Sequence, residues 1–279
     1  MTLARRIRKY WVGFRMAPII DLHSHLGQFT NSAMSADGER LCSVSRAAGI
    51  THVVTFSIEA CYGTLDRGNR YTLDQVDRHP MLSAMVVAHP AHLSSSASWI
   101  REASSNPNVV GVKIHPVLGD YDILDSSVMR LMEDHIGPSG LTVLSHVGNE
   151  SPNVPIEKYL KLAARFPQIR FVAAHLGVGI MGSNRAAANA WMQSPQANVW
   201  FDMGTLRAFC SGSVETLLEV VGPDRICFGT DAPLYRSAAF VSVLETLDVP
   251  EETREKIAWR NALNAIPTLA SRLAAPVHA

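Results

Sequence analysis

A chain of 279 residues, 47% apolar and 18% charged, has ample material for a large buried core, and one domain suffices because α/β barrels reach about 250 residues undivided. Lys plus Arg balance Asp plus Glu at 25 each, so no net field favours nucleic acid, a membrane surface or a polyanion. Cys42, Cys61, Cys210 and Cys227 form no C-x-x-C pair, which argues against a disulfide framework and for reduced thiols in a cytoplasmic protein.

In chain order, residues 1–17 come first, a leader made basic by Arg5, Arg6, Arg8, Lys9 and Arg15. No apolar run of about 20 residues follows that could span a bilayer. Eight short apolar runs then recur: PIIDLHSH at 18–25, THVVTFSI at 51–58, MLSAMVVAH at 81–89, VVGVKIH at 109–115, LTVLSH at 141–146, RFVAAH at 170–175, VWFDMG at 199–204 and RICFGTD at 225–231. Each leads through polar or Gly/Pro residues into a helix-like stretch, the rhythm of βα units. SSSASW at 94–99 is expected to be a loop entering a helix. PEETREKIAWRNALNAI, after the last run, is expected to form a closing helix with its acidic residues at the start. Eight buried strands alternating with helices predict a (β/α)8 TIM barrel within one domain spanning 1–279. A doubly wound open sheet is the alternative, weakened because no early strand leads into a G-x-G-x-x-G or G-x-x-x-x-G-K-[ST] turn.

Barrel enzymes build their sites at the C-terminal ends of the strands. The residues standing there are His23, His25, His115, His146, His175 and Asp231. His23 and His25 form an H-x-H pair whose period-two spacing turns both imidazoles to one side of the first strand. Neutral imidazoles with one carboxylate suit Zn²⁺, and Mn²⁺ or Fe²⁺ fit the same donors. A catalytic ion keeps one position open, lowers the pKa of its water and polarises substrate oxygens. His52, His79, His92, His135 and His278 fall at strand beginnings, helices or tails, and His89 ends the third strand as a candidate to support the site from behind, none of them a ligand.

The pieces IIDLHSH, GVKIHP, LSH, AAHLG, RICFGTDAP and NAL at 261–263 run in order along almost the whole chain. In them the sequence resembles the amidohydrolase superfamily, within it the amidohydrolase-2 group that includes metal-dependent hydrolases and decarboxylases of the aminocarboxymuconate-semialdehyde type. The resemblance implies a metal held by His23, His25, His146 and Asp231, with Asp231 also accepting a proton from bound water. It implies that His175 either stabilises the developing anion and shuttles protons or binds a second metal. Lys113, beside His115 in GVKIHP, is implied either to touch substrate as an amine or to bridge two metals as a carbamate.

Arg67, Arg70, Arg207 and Arg236 follow strands on the same face and are candidates to fork onto a substrate carboxylate. Phe29, Tyr62, Tyr121, Phe209 and Tyr235 are candidates to line an organic pocket. The leading expectation is hydrolysis of an amide, lactone or ester bond in a small anionic molecule. Metal-dependent decarboxylation or hydration of a carboxylated substrate is the alternative, and a non-enzymatic binding or scaffold protein that keeps the barrel is the third reading. Barrel enzymes often pair into homodimers, and no feature of the sequence marks an interface.

Overall fold

The structure, a computed structural model, describes residues 18–30, 34–179 and 182–274, so the basic leader at 1–17 and His278 lie outside the described residues. The strands are β1 (Ile20–Gln28), β2 (Ser35–Ala36), β3 (His52–Ser57), β4 (Leu82–Val87), β5 (Val109–Ile114), β6 (Thr142–Ser145), β7 (Phe171–Ala173), β8 (Val199–Asp202) and β9 (Ile226–Cys227). They form one sheet in the order β2-β1-β3-β4-β5-β6-β7-β8-β9. β2 is an antiparallel edge on β1; every other neighbouring pair is parallel. All eight expected runs therefore carry a strand, and the β2 addition was not foreseen.

The parallel strands are short and rich in β-branched residues because both faces are covered. Every residue of β3, β4 and β5 is buried, and each fully buried Val or Ile there contributes roughly 1.5–3 kcal/mol. The last strand is shorter than its apolar run. Only Ile226 and Cys227 pair with β8, and the following residues turn back onto β1. Leu22 N donates to Phe228 O at 3.0 Å, Asp231 N to His23 O at 2.8 Å and His25 N to Ala232 O at 2.6 Å. The first strand and the segment after the last are thus stitched together across the sequence.

Two local expectations shift. The serines at 94–96 lie inside the first turn of the helix Leu93–Ser105 rather than before it. Beyond Pro250, the expected closing helix begins at Glu251, carries a π-helical turn over Lys256–Arg260 and continues to Ala265.

His52, at the start of β3, is buried with its Nε2 2.8 Å from Ser83 Oγ, and burial pushes its imidazole down to about 3. An unfolded His titrates near 6.5, so between these two values the unfolded chain binds a proton that the folded one refuses, and stability falls as pH drops. Acidification from pH 6.5 to 4 is expected to remove roughly 3 kcal/mol through this residue. Urea titrations across that range check it. His52→Asn should show a shallower acid slope than the parent chain, and an unchanged slope would reject the argument.

Candidate metal centre

The side chains at the strand ends converge because each parallel strand delivers its C-terminal residue to the same rim. His23 and His25, two apart on β1, lie with ring centroids 5.1 Å apart. Asp231 arrives from the segment after β9 and places Oδ1 2.6 Å from His25 Nε2 and 3.6 Å from His23 Nε2. Among the described residues, His23, His25 and Asp231 bring one donor atom each within 4.8 Å of one another, and so do His23, His175 and Asp202.

His146 and His175 form the other wall. His175 Nδ1 lies 2.5 Å from the carbonyl oxygen of Gly204, which can only accept, so that nitrogen carries the proton. His146 Nε2 lies 2.5 Å from Glu150 Oε1, another acceptor. The remaining nitrogens, His175 Nε2 and His146 Nδ1, face each other at 3.1 Å. In the neutral imidazoles both carry lone pairs, which repel at that distance unless a proton or a cation lies between them. This pairing, together with a buried carboxylate among imidazoles, fits a divalent cation. His115 stacks on His146 with centroids 4.5 Å apart, while its Nδ1 accepts from Leu118 N.

Four of the sequence candidates are thus gathered through direct contacts of His23: His25, His175, Asp231 and Lys113. His146 joins the rim through His175 and lies outside the two tightest donor groups. Lys113 Nζ is 3.4 Å from His23 Nε2 and 4.7 Å from the centre of the Phe56 ring.

Burial sets the charge states. It pushes His23, His25 and His115 well below the usual imidazole range, and His146 and His175 downward as well. Burial also lowers the Lys113 ammonium and raises the Asp231 carboxyl to about 7, against the pull of His175 and Lys113. The imidazoles are therefore neutral, as metal ligation requires. His25 Nδ1 is buried without a hydrogen-bond partner.

Backbone strain concentrates at the same rim. Among the described residues the non-glycine positions with positive φ are Asp120, His175, Leu176 and Asp231. Left-handed backbone at a residue with a Cβ costs about 1–2 kcal/mol, and such residues cluster where function demands a particular aim. His175 at φ 62° and Asp231 at φ 58° are both held this way.

Several residues that organise the rim escaped the sequence reading. Asp202, the last residue of β8, puts Oδ2 3.0 Å from His23 Nδ1, while its Oδ1 accepts from His175 N and Gly204 N. A carboxylate behind a ligating imidazole fixes its tautomer and aim. Asp21 accepts from His23 N and Thr230 N through Oδ1 and from the Thr230 hydroxyl through Oδ2, tying β1 to the residue before Asp231. Glu150 completes the set. The sequence offered one weak signal for Asp202: an acidic residue ending a strand otherwise built of buried apolar ones.

The arginines and aromatics are mostly engaged elsewhere. Arg67 pairs with Glu59 at 2.7 Å on a side chain 76% exposed. The Arg70 guanidinium lies 5.8 Å from the centre of the Trp99 ring. Arg207 donates through Nε to Gly182 O, and Arg236 is exposed where it caps the helix Ser237–Thr246. The Tyr121 hydroxyl accepts from His115 N, and its ring meets His89 edge-on at 5.1 Å, so it props the loop after β5. His89 holds the same loop, since its Nε2 donates to Gly119 O. Phe29 stands edge-on to His25 at 5.3 Å. All four cysteines are free thiols, Cys210 exposed and the others buried. No helix of the described residues is long and apolar enough to cross a membrane.

No curated protein matches the sequence. Solved structures do match in fold. The 5-carboxyvanillate decarboxylase from Sphingomonas paucimobilis aligns with TM-score 0.68 at 16% identity, over 90% of this chain and 99% of that one. A dihydroxybenzoic acid decarboxylase from Polaromonas sp. JS666, with bound manganese and the inhibitor 2-nitroresorcinol, aligns with TM-score 0.71 at 15% identity, over 90% of this chain and 97% of that one. A probable 2-pyrone-4,6-dicarboxylic acid hydrolase from Acinetobacter baumannii, with citric acid bound, aligns with TM-score 0.65 at 11% identity, over 88% of this chain and 98% of that one. The amidohydrolase family model (Amidohydro_2) matches residues 20–266, which takes in every strand and every rim residue described above. This chain belongs to the amidohydrolase family.

Proposed function

We propose that the protein is a divalent-metal-dependent, non-oxidative decarboxylase of a small carboxylated aromatic compound, built on a (β/α)8 barrel. The backbone bonds from Leu22, His25 and Asp231 across to the opposite chain end support closure of the sheet. The observation that carries the metal reading is the set of donor atoms His23 Nε2, His25 Nε2 and Asp231 Oδ1, with the bare nitrogens His175 Nε2 and His146 Nδ1 paired next to His23. His23, His25, His146 and Asp231 would hold the ion. When bound, a divalent cation supplies Lewis-acid polarisation of substrate oxygens.

Hydrolysis led the sequence reading. Decarboxylation now comes first, because the 5-carboxyvanillate and dihydroxybenzoate enzymes that share this fold are decarboxylases, against one probable hydrolase. Manganese moves ahead of zinc on similar grounds, since three decarboxylase structures of this fold carry it.

The chain's own groups then have definite work. Decarboxylation breaks the bond between the ring carbon and its carboxylate, leaves the electron pair on carbon, and requires a proton there as CO2 departs. His175 and Asp231, which the rim aims inward by left-handed backbone, hold that proton. Gly204 O keeps one His175 proton on Nδ1, so Nε2 is the nitrogen that would take up a second proton at the rim and pass it to the ring carbon. Phe56 and Phe29 flank the imidazoles with apolar surface, which excludes water and suits an aromatic ring. Lys113 acts as a free amine beside His23, and one ion is bound per chain.

Protein loaded with Mn²⁺ is expected to release CO2 from ortho-hydroxylated benzoates and to hold one equivalent of metal with no bicarbonate requirement. Turnover of lactones or esters without CO2 release would restore hydrolysis. Two equivalents of metal that depend on bicarbonate would instead establish the bridging carbamate.

A further inference from the structure

Glu150 sits on the loop after β6, four residues beyond His146, and its Oε1 lies 2.5 Å from His146 Nε2. Its side chain is partly exposed, so a surface ion pair of little consequence is the plain reading. The surroundings argue otherwise. A Cβ built at Gly148 would collide with the Glu150 carboxylate, and so would one built at Gly179, which follows β7 and has φ +71°. Two glycines from different loops thus leave room for this one carboxylate, and Gly179 uses a backbone conformation that favours glycine.

From this geometry we infer that Glu150 is a positioning residue for the metal centre: seated between Gly148 and Gly179, it holds the His146 proton on Nε2 and turns the Nδ1 lone pair toward His175. The inference deepens the metal reading above and rests on His146 being a ligand for its functional consequence. Without an acceptor at Nε2, the imidazole is free to carry its proton on Nδ1 instead. A nitrogen that bears a proton cannot ligate, so the donor set would lose a member for part of the time.

The first measurement needs no metal. Imidazole ¹⁵N spectra of the metal-free protein, assigned with His146→Gln, are expected to show His146 as the single Nε2–H tautomer. Glu150→Ala should give exchange between both tautomers. Gly148→Ala, which displaces the carboxylate without removing it, should give the same mixture, while Glu150→Gln, which keeps an oxygen acceptor, should restore most of the single tautomer. Identical His146 signals in the parent chain and Glu150→Ala would overturn the inference.

Mn²⁺ titration supplies the second readout. Glu150→Ala and Gly148→Ala are each expected to weaken binding by about 10–100-fold, and the double variant no more than either alone, because both remove one interaction. Multiplicative losses, or binding within twofold of the parent chain, would reject the assignment. If the tautomer shifts as expected but the parent chain itself binds no Mn²⁺, the positioning role stands and the metal reading fails.

Discussion

Replacing Asp231 with Asn is expected to reduce kcat/KM by roughly a thousandfold or more while raising the stability of the metal-free protein. The two effects share one cause. Asp231 is the sole carboxylate in the tight donor group with His23 and His25, so on the proposed mechanism the amide would remove both the anionic donor and a proton carrier. In the metal-free chain that same carboxylate is buried, pushed up to about 7 mainly by its burial. An acid with a raised folded pKa is penalised above its unfolded value, near 3.9, and the penalty grows until pH passes the folded one. Asn carries no charge to desolvate and tolerates left-handed backbone better than most residues, so φ 58° remains accessible. A gain on the order of 1–3 kcal/mol at pH 7 follows, after allowance for the amide's own burial. Calorimetry of chelator-treated protein and steady-state kinetics with saturating Mn²⁺ check the two halves. A variant that turns over like the parent would remove Asp231 from the chemistry; one that melts lower would refute the stability argument.

Asp202→Asn tests the layer behind the imidazoles. The carboxylate receives His23 Nδ1 on one oxygen and two backbone amides on the other, an all-acceptor role that an amide cannot reproduce. Whichever way the Asn side chain turns, its NH2 group faces a donor. The expected result is a Mn²⁺ dissociation constant raised by about 10–100-fold, with kcat at saturating metal reduced much less. If affinity held and kcat fell instead, Asp202 would belong to proton handling rather than to ligand orientation.

Much of the architecture could be read from local pattern, and the reasons are physical. Runs such as VVGVKIH and THVVTFSI must be apolar throughout because both faces of a parallel strand are covered, so the strands announce themselves. The strand-end His and Asp residues were legible for a related reason, since a polar residue closing such a run has to face something. Asp202 and Glu150 were not. Their partners, His23 and His146, are identified only once the strands are placed, and Glu150 falls in an ordinary polar loop. The arginines illustrate the converse: Arg67 and Arg70 lie on the expected side of the chain, yet Glu59 and Trp99 occupy them, a pairing that spacing alone does not reveal. Choice of reaction was least legible, because hydrolysis and decarboxylation share the fold and the donor residues, and loops decide between them.

His25 and Asp231 meet across a separation of 206 residues. Closing so long a loop costs entropy before any contact compensates, and pairing at that range is slow to form. Competence would then be acquired at the end of folding: a nascent chain that has not yet emerged through Asp231 can collapse and build most of its strands, but cannot present the donor group. A cation that binds only the completed group would stabilise the native state in proportion to its own affinity. Cellular supply of that cation would thereby help determine how much of the polypeptide survives as well as how fast it works.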